Sequence, residues 1–272
     1  MIDILEKKIH IAFNSKEKKR ITQPILDYLP NKLYYFTAYI EETGQEDENI
    51  EYFEENCEYL KDKIPQLDIV RKEVDYTDYI QIIQELSKII KEERDEDPNT
   101  SIFINVGSGS KITAIASIEA SKLWDCDIYY VYSTQYDPSG EGPVHKGEMK
   151  IKTPITFPIK KPDKKIIEIL QFIQALIEER YKHKPTDKST RKFVYKKDLI
   201  EELFNEELIT LINENKDDRK LQASKYMKSR KYLKPMDEEL DFIDISDDKR
   251  NKKIFLTEQG EELLEIFKYQ IY

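Results

Sequence analysis

The sequence predicts an α/β protein: a Rossmann-like parallel-sheet domain followed by a mainly α winged helix-turn-helix domain. Three observations predict it. Up to about residue 133, short β-like runs alternate with amphipathic helical stretches, which implies βαβ units, a parallel sheet and right-handed crossovers. Residues 134–162 break the alternation with Gly140, Gly142 and Gly147 and with Pro138, Pro143, Pro154, Pro158 and Pro162. Beyond them the order is helices, a short hairpin and a closing helix, as in a winged helix-turn-helix.

Lys8 to Asn14 (KIHIAFN) reads as a strand, Glu17 to Leu29 as a helix and Lys32 to Tyr39 as a second strand. Residues 49–63 read as a helix and 67–74 as extended. Tyr79, Ile82, Ile83, Leu86, Ile89 and Ile90 follow the i, i+3, i+4, i+7 rule, so residues 77 to about 93 form one amphipathic helix. Ser101 to Val106 and Asp127 to Ser133 are the remaining strong strands, and they bracket a helix from Lys111 to Trp124. A loop or hairpin then leads into TPITFPIKKPD, read as a linker between domains 1–152 and 163–272, with the linker itself at 153–162. After it, Asp163 caps a long helix to Tyr181. Helices follow at 195–206 and 218–233, with a short one at 208–212 between them. Two β runs, 242–246 and 253–256, flank the charged turn DDKRN, and LTEQGEELLEIF closes the chain as a helix.

Composition excludes several function classes. Hydrophobic residues make up 39% and fall in periodic runs, so the chain has a core to bury. No apolar stretch approaches the roughly 20 residues of a membrane span, and MIDILEKKIH lacks a secretory pattern, so a cytoplasmic protein is expected. Cys57 and Cys126 have no CxxC spacing, and His10, His145 and His183 are scattered, so neither a disulfide framework nor a metal site is expected, and no cofactor. The net charge of -10 is uneven: 21 Lys and Arg oppose 30 Asp and Glu before residue 163, and 23 oppose 24 from it onward. Contact with a polyanion must therefore come from a local cluster. The densest is 216–234, where eight Lys and Arg stand against Asp217 and Asp218 alone.

The sharpest local feature is Asn105-Val106-Gly107-Ser108-Gly109-Ser110-Lys111. The chain has only seven glycines, and two of them fall within three residues at a strand-to-helix turn. Glycine lets a backbone approach a ligand closely, serine hydroxyls and a helix N-terminus offer donors, and Lys111 adds a charge, so the turn suits a phosphate. It is neither a Walker loop nor GxGxxG, and by itself it is equally a tight βα turn capped by Ser110. The turn after the first strand, Asn14-Ser15-Lys16-Glu17-Lys18-Lys19-Arg20, is also polar and basic. In a doubly wound sheet these two turns line one crevice at the switch point, where Asn14, Ser15, Lys16 and Arg20 join Gly107, Ser108, Gly109, Ser110 and Lys111. Lys18 and Lys19 read as a solvated helix face.

IHIAFNSKEKKRITQPI, then KLYYFTAY, then IFINVGSGSKITAIASIEAS resembles the CARF (CRISPR-associated Rossmann fold) domain over about residues 8–160. The domain order is similar to CARF proteins with a C-terminal winged helix that resemble CRISPR-associated transcriptional regulators. The resemblance implies a homodimer whose paired turns bind cyclic oligoadenylate, a signal of antiviral defence, with Ser15, Lys16, Gly107, Ser108, Gly109, Ser110 and Lys111 as contacts. The family often has Thr before the Lys, where this chain has Ser110, and a small polar residue at Gly107.

On the helix at 218–233, Lys220, Ser224, Lys225, Lys228 and Lys231 cluster opposite Ala223, Tyr226, Met227 and Leu233. A basic face at the recognition position suits the major groove of double-stranded DNA, and Lys249, Arg250, Lys252 and Lys253 at the hairpin tip suit backbone or minor-groove contact. The bland alternative is a solvated face on a dimerisation or protein-docking module. Enzyme readings are weaker, and no catalytic residue is assigned. Arg180 and His183 stand closer than the Arg and His of the HEPN-type ribonucleases found in similar CARF proteins. Glu148-Met149-Lys150 matches a nuclease ExK pattern only superficially. The alternative function is a ring nuclease that cleaves cyclic oligoadenylate, with the winged helix serving dimerisation. Each histidine reads as structural.

Overall fold

A computed structural model describes residues 7–40, 43–138, 142–154, 162–183, 190–211, 218–248 and 251–269. The chain divides into two compact units at residues 160 and 161.

In the first unit the elements run β1 (Lys8–Phe13), α1 (Lys19–Tyr28), β2 (Lys32–Ile40), β3 (Gln45–Glu46), α2 (Ile50–Lys63), β4 (Asp68–Val74), α3 (Tyr79–Glu96), β5 (Ser101–Asn105), α4 (Lys111–Trp124), β6 (Asp127–Tyr136) and β7 (His145–Lys152). The sheet order is β4-β2-β1-β5-β6-β7, with the short β3 paired antiparallel to the end of β2. β4, β2, β1, β5 and β6 are parallel, and β7 returns antiparallel along β6. The central strands are buried on both faces, so β1 and the start of β2 are nearly continuous apolar runs instead of alternating ones. α1 and α2 enclose Ile21, Ile25, Leu33, Tyr35, Phe53 and Leu60 in one core cluster. α3 packs beside α4 and buries Ile82, Ile83, Leu86, Ile89 and Ile90, the apolar stripe that its spacing predicts.

The region after β6, read as a loop or hairpin, is a hairpin whose second strand is β7. Gly147 there has φ +79 and accompanies a register irregularity between Ser133 and Gln135, so the strand bulges at its glycine. At the opposite end of the sheet from the strand C-termini, buried Glu93 binds Lys7 (2.8 Å), Lys32 (2.7 Å) and the Tyr34 hydroxyl. Burial pushes its carboxyl up, but hydrogen bonds from Lys32, Lys7 and Tyr34 outweigh this and hold it below the usual carboxylate value.

The second unit comprises α5 (Lys164–Tyr181), β8 (Val194–Tyr195), α6 (Lys196–Asn205), α7 (Asp218–Glu238), β9 (Ile243–Ile245), β10 (Lys253–Leu256), α8 (Glu258–Ile266) and a 3-10 turn at Phe267–Tyr269. Its sheet runs β8-β10-β9, all antiparallel. This is a winged helix: α7 in the recognition position and the β9–β10 hairpin as the wing. Asp163 caps α5 by accepting from Lys165 N–H at 2.8 Å. Two differences from the sequence expectation are local. β8 is too short to announce itself, and residues 208–211 form no helix. Instead Leu208 and Ile209 pack onto the core from an irregular turn, with Ile209 buried.

α8 sits close against β9 because residue 260 has no side chain. A Cβ there would meet the Phe242 carbonyl oxygen at 2.1 Å. Gly260→Ala is therefore expected to destabilise this unit by about 1–3 kcal/mol, read as a lower urea midpoint by far-ultraviolet circular dichroism. An unchanged midpoint would mean that α8 can move aside at no cost.

Candidate functional site

β1 and β5 are hydrogen-bonded neighbours, in register from Lys8↔Ser101 to Ile11↔Ile104, yet the chain leaves them in opposite directions across the sheet. Their C-terminal turns, residues 14–18 and 106–110, therefore flank the switch point and share one crevice. The structure sorts the expected residues at this crevice into two groups.

One group builds the turns. Asn14 is buried; its amide donates to Asp47 Oδ2 (3.0 Å) and to Asn49 O (2.8 Å), and its oxygen accepts from the Tyr35 hydroxyl at 2.9 Å. Arg20 is also buried, donating from Nε to Val131 O at 3.0 Å, with Nη1 at 3.2 Å from the His145 ring. Asn105 locks the second turn by accepting from Gly107 N–H (2.8 Å) and donating to Arg20 O (3.0 Å). A Cβ on Gly107 would lie 2.9 Å from Val131 N, and one on Gly109, at φ +83, would lie 2.5 Å from Thr113 Oγ1 and 2.6 Å from Phe13 Cβ. Both glycines are thus demanded by packing. Ser110 caps α4, accepting from Thr113 N–H at 3.1 Å and donating to Tyr76 O at 3.0 Å.

The other group is uncommitted. Lys16 and Lys111 are exposed. Ser15 Oγ and Ser108 Oγ are buried with no hydrogen-bond partner among the described residues. An orphaned hydroxyl costs about 1–3 kcal/mol, which a ligand or water recovers. Each turn therefore presents one unsatisfied hydroxyl and one free ammonium.

Three residues at this end of the sheet were not singled out from the sequence. Buried Asp47 accepts from Asn14, Ala38 N–H and Asn49 N–H, tying the first turn to α2. Glu17, also buried, binds His145 Nδ1 through Oε1, while its Oε2 has no partner among the described residues. His145 is not in a loop but opens β7, and it joins Glu17 and Arg20 beside the second turn. Nothing marks these residues in a chain with 54 acids, since their pairing spans 128 residues. Of the other histidine-based expectations, His10 is fully buried, and Arg180 stacks on Phe193 and Tyr195 at 4.7 and 4.6 Å. Among the described residues no group of His, Cys, Asp and Glu is placed to hold a metal, and no helix is long and apolar enough to cross a membrane.

On α7 the packed stripe is Ser229, Leu233 and Met236, all buried. The expected apolar face is therefore turned: Ala223 is exposed, and Tyr226 and Met227 are 41% and 70% exposed. The small buried Ser229, whose hydroxyl donates to Lys225 O at 2.9 Å, takes a position to which apolar counting gives no weight. Lys220 and Lys231 are exposed, and Lys228 and Ser224 are half-buried. Lys225 instead turns toward the core side, its ammonium 5.4 Å over the Phe204 ring. Lys252 is exposed on the wing, and Lys249 and Arg250 lie outside the described residues.

Residues 8–136 match the family model described as HFX_2341_N:-like, N-terminal, and residues 165–268 match the DUF6293 C-terminal winged helix domain. No curated protein sequence matches the chain. Similar solved structures include Enterococcus italicus Csm6 bound to cyclic hexa-2'-fluoro-hexa-dAMP, at 13% identity and TM-score 0.42, covering 85% of this chain and 55% of that one. Can2 from Sulfobacillus thermosulfidooxidans in complex with cyclic tetra-adenylate gives 12% and 0.36 over 96% and 64%. Protein VC1899 from Vibrio cholerae gives 9% and 0.34 over 96% and 65%. The chain thus spans less than two thirds of the length of these three structures. It joins a Rossmann-like domain that matches the first family model to a winged helix that matches the second.

Proposed function

We propose that the chain is a sensor of cyclic oligoadenylate that regulates transcription by binding double-stranded DNA as a homodimer. The observation that carries the sensing half is the uncommitted set at the switch-point crevice: Ser15 and Ser108 with orphaned hydroxyls, Lys16 and Lys111 with free ammonium groups. Donors and positive charge without an internal acceptor are what ring phosphates require. Asn14, Arg20, Gly107, Gly109 and Ser110 hold the turns in shape, the glycines by letting the two turns pack against Val131, Phe13 and Thr113. The DNA half rests on Lys220, Lys228 and Lys231 along α7 and Lys252 on the wing, none of them ion-paired among the described residues. A ligand that binds one dimer arrangement more tightly than another would reset the spacing of the two recognition helices.

Calorimetric titration with cyclic tri-, tetra- and hexa-adenylate tests the sensor. One ring is expected to bind, and Lys111→Ala is expected to weaken it at least tenfold, since a charge-assisted contact is worth about 1.5–3 kcal/mol. No heat with any ring would sink the reading. For the DNA half, Lys220→Glu with Lys228→Glu is expected to abolish a salt-sensitive duplex shift without changing the oligomeric state.

One observation favours a second reading, a ring nuclease. The Glu17–His145 couple beside the second turn is a carboxylate-paired imidazole, and it could take a proton from a ribose hydroxyl once its Nε2 parts from Arg20 Nη1, 3.4 Å away. Chromatography of the ligand after titration separates the two readings: intact ring supports the sensor, linear product the nuclease.

A further inference from the structure

The winged-helix unit carries a second concentration of unpaired charge, off the basic face formed by Lys220, Lys228 and Lys231. A cleft of about 450 Å³ opens between α7, the start of α6 and the wing, and its lining includes Lys196, Tyr226, Met227, Arg230 and Lys252. A second hollow of about 320 Å³ shares Lys196, Tyr226 and Lys252 with it. The backbone gathers the cations. Lys196 N–H donates to Lys252 O at 2.8 Å, which pins the wing to the first residue of α6, while Arg230 reaches the cleft from α7.

The carboxylates that line the same cleft offset this group only in part: Glu238 is taken up by Lys234, which leaves Asp237 and Asp247 against three cations. Asp237 accepts from Ile245 N–H at 3.1 Å, Glu238 pairs with Lys234 at 3.2 Å, and Asp247 sits exposed near the wing. Among the described residues, Lys196, Arg230 and Lys252 make no ion pair. Burial holds the half-buried Lys196 ammonium below its usual pKa; Lys252 and Arg230 add to this, and Asp237 opposes it. Three cations against two carboxylates leave the cleft with a net positive charge that one anion balances.

The neighbouring surface indicates which anion. Tyr226 and Met227 are among the most exposed large apolar side chains in this unit, and both line the cleft. A phosphodiester strand offers the matching pair, an anionic oxygen beside the apolar carbons of a sugar. A free inorganic anion has no use for the apolar wall.

We propose that Lys196, Arg230 and Lys252 clamp one backbone phosphate of double-stranded DNA, with Tyr226 and Met227 against the adjoining deoxyribose. The proposal rests on the DNA-binding reading given above. It gives α7 two working flanks: Lys220, Lys228 and Lys231 on one side, and the clamp on the wing side. Because phosphate carries no sequence, the clamp fixes register on the duplex and leaves discrimination to the other flank.

The test is fluorescence anisotropy of the full chain with a labelled duplex over a range of salt concentrations. Lys196→Met and Arg230→Met keep an apolar stem but remove the charge, and Lys268→Met on an exposed turn serves as control; circular dichroism checks that each variant folds. Each clamp variant is expected to weaken binding about fivefold or more, equally on unrelated sequences, and to reduce the slope of log affinity against log salt by about one. If the wild type binds duplex and the clamp variants match it in affinity and slope, the clamp is wrong and the DNA-binding reading survives. If the wild type binds no duplex at low salt, the reading beneath falls and takes the clamp with it. A single strand bound as tightly, with the same loss in the variants, would overturn the duplex assignment. Inorganic phosphate alone that displaces duplex from the wild type but not from Lys196→Met, at concentrations where sulfate has no effect, would reassign the site to a free phosphate.

Discussion

Gly109→Ala is expected to destabilise the N-terminal unit by about 2–5 kcal/mol and to weaken cyclic oligoadenylate binding at least a hundredfold. Two costs add. At φ +83 an alanine sits where an L side chain costs about 1–2 kcal/mol. Its Cβ also has no space, with Thr113 Oγ1 at 2.5 Å and Phe13 Cβ at 2.6 Å, and overpacking of this kind costs about 1–3 kcal/mol. Because Phe13 ends β1 and Thr113 lies in the first turn of α4, the displacement moves both turns of the crevice together, which is why binding suffers beyond stability. Two comparisons make the expectation sharp. Gly107→Ala should cost less, since its φ is ordinary and its nearest clash is 2.9 Å, and Gly44→Ala should show the conformational cost alone, having φ +64 and no atom within 4 Å. Trp124, the only tryptophan, lies in α4, so its fluorescence reports unfolding of this unit without the other. Should Gly44→Ala prove as damaging as Gly109→Ala, the packing argument for the turn fails.

His10 should make the same unit acid-sensitive. It lies in the middle of β1, fully buried among Tyr28, Phe103 and Tyr129, with Nδ1 at 3.1 Å from the Tyr129 hydroxyl and Nε2 without a partner among the described residues. Burial, helped by the nearby Lys8 charge, pushes its pKa down to about 3. In the unfolded chain it titrates near its ordinary value of about 6.5. Between those values the unfolded chain binds a proton that the folded one does not. Stability is therefore complete above about pH 6.5 and falls by about 1.4 kcal/mol per pH unit below it. From pH 7.5 to pH 5 this single residue removes about 2 kcal/mol. His10→Phe keeps a ring in the aromatic cluster and removes the proton site. Urea unfolding followed by Trp124 at both pH values should show a drop in stability smaller by about that amount in the variant. Equal drops in the two proteins would mean that His10 is not held neutral.

The architecture was legible because it is written in local periodicity. Strand and helix alternation through residue 133 and the helix–hairpin–helix order at the end correspond to the observed elements within a few residues, and α4 runs Lys111–Trp124 as expected. Elements without a clear apolar pattern were not legible or only partly so: β3 and β8 are two residues each, and β7, read as loop or hairpin, alternates half-buried and exposed side chains that are mostly polar, along an edge. At the crevice, the Gly-Ser turn stood out because glycine is scarce in this chain and both strands end in polar turns. Which of its residues are free could not be read there. Asn14, Arg20 and Ser110 have the same donor chemistry as Ser15, Lys16 and Lys111. Only their distant partners Asp47, Val131 and Tyr76 show that they are committed to the fold.

The rotation of α7 has the same cause. A helical wheel weighs side chains by hydrophobicity, and it therefore placed Ala223, Tyr226 and Met227 inward with Leu233 and gave no weight to the small Ser229. Neighbouring elements choose the buried stripe by shape, and Ser229 fits against them while Tyr226 and Met227 remain in the cleft with Lys196, Arg230 and Lys252. By itself the sequence determined the fold class, the domain order and the two turns at the switch point, because spacing along the chain encodes them. The tertiary structure alone decided which polar groups are spent and which cations meet, because burial and charge convergence depend on residues far apart in the chain, such as Glu17 and His145 or Lys196 and Lys252.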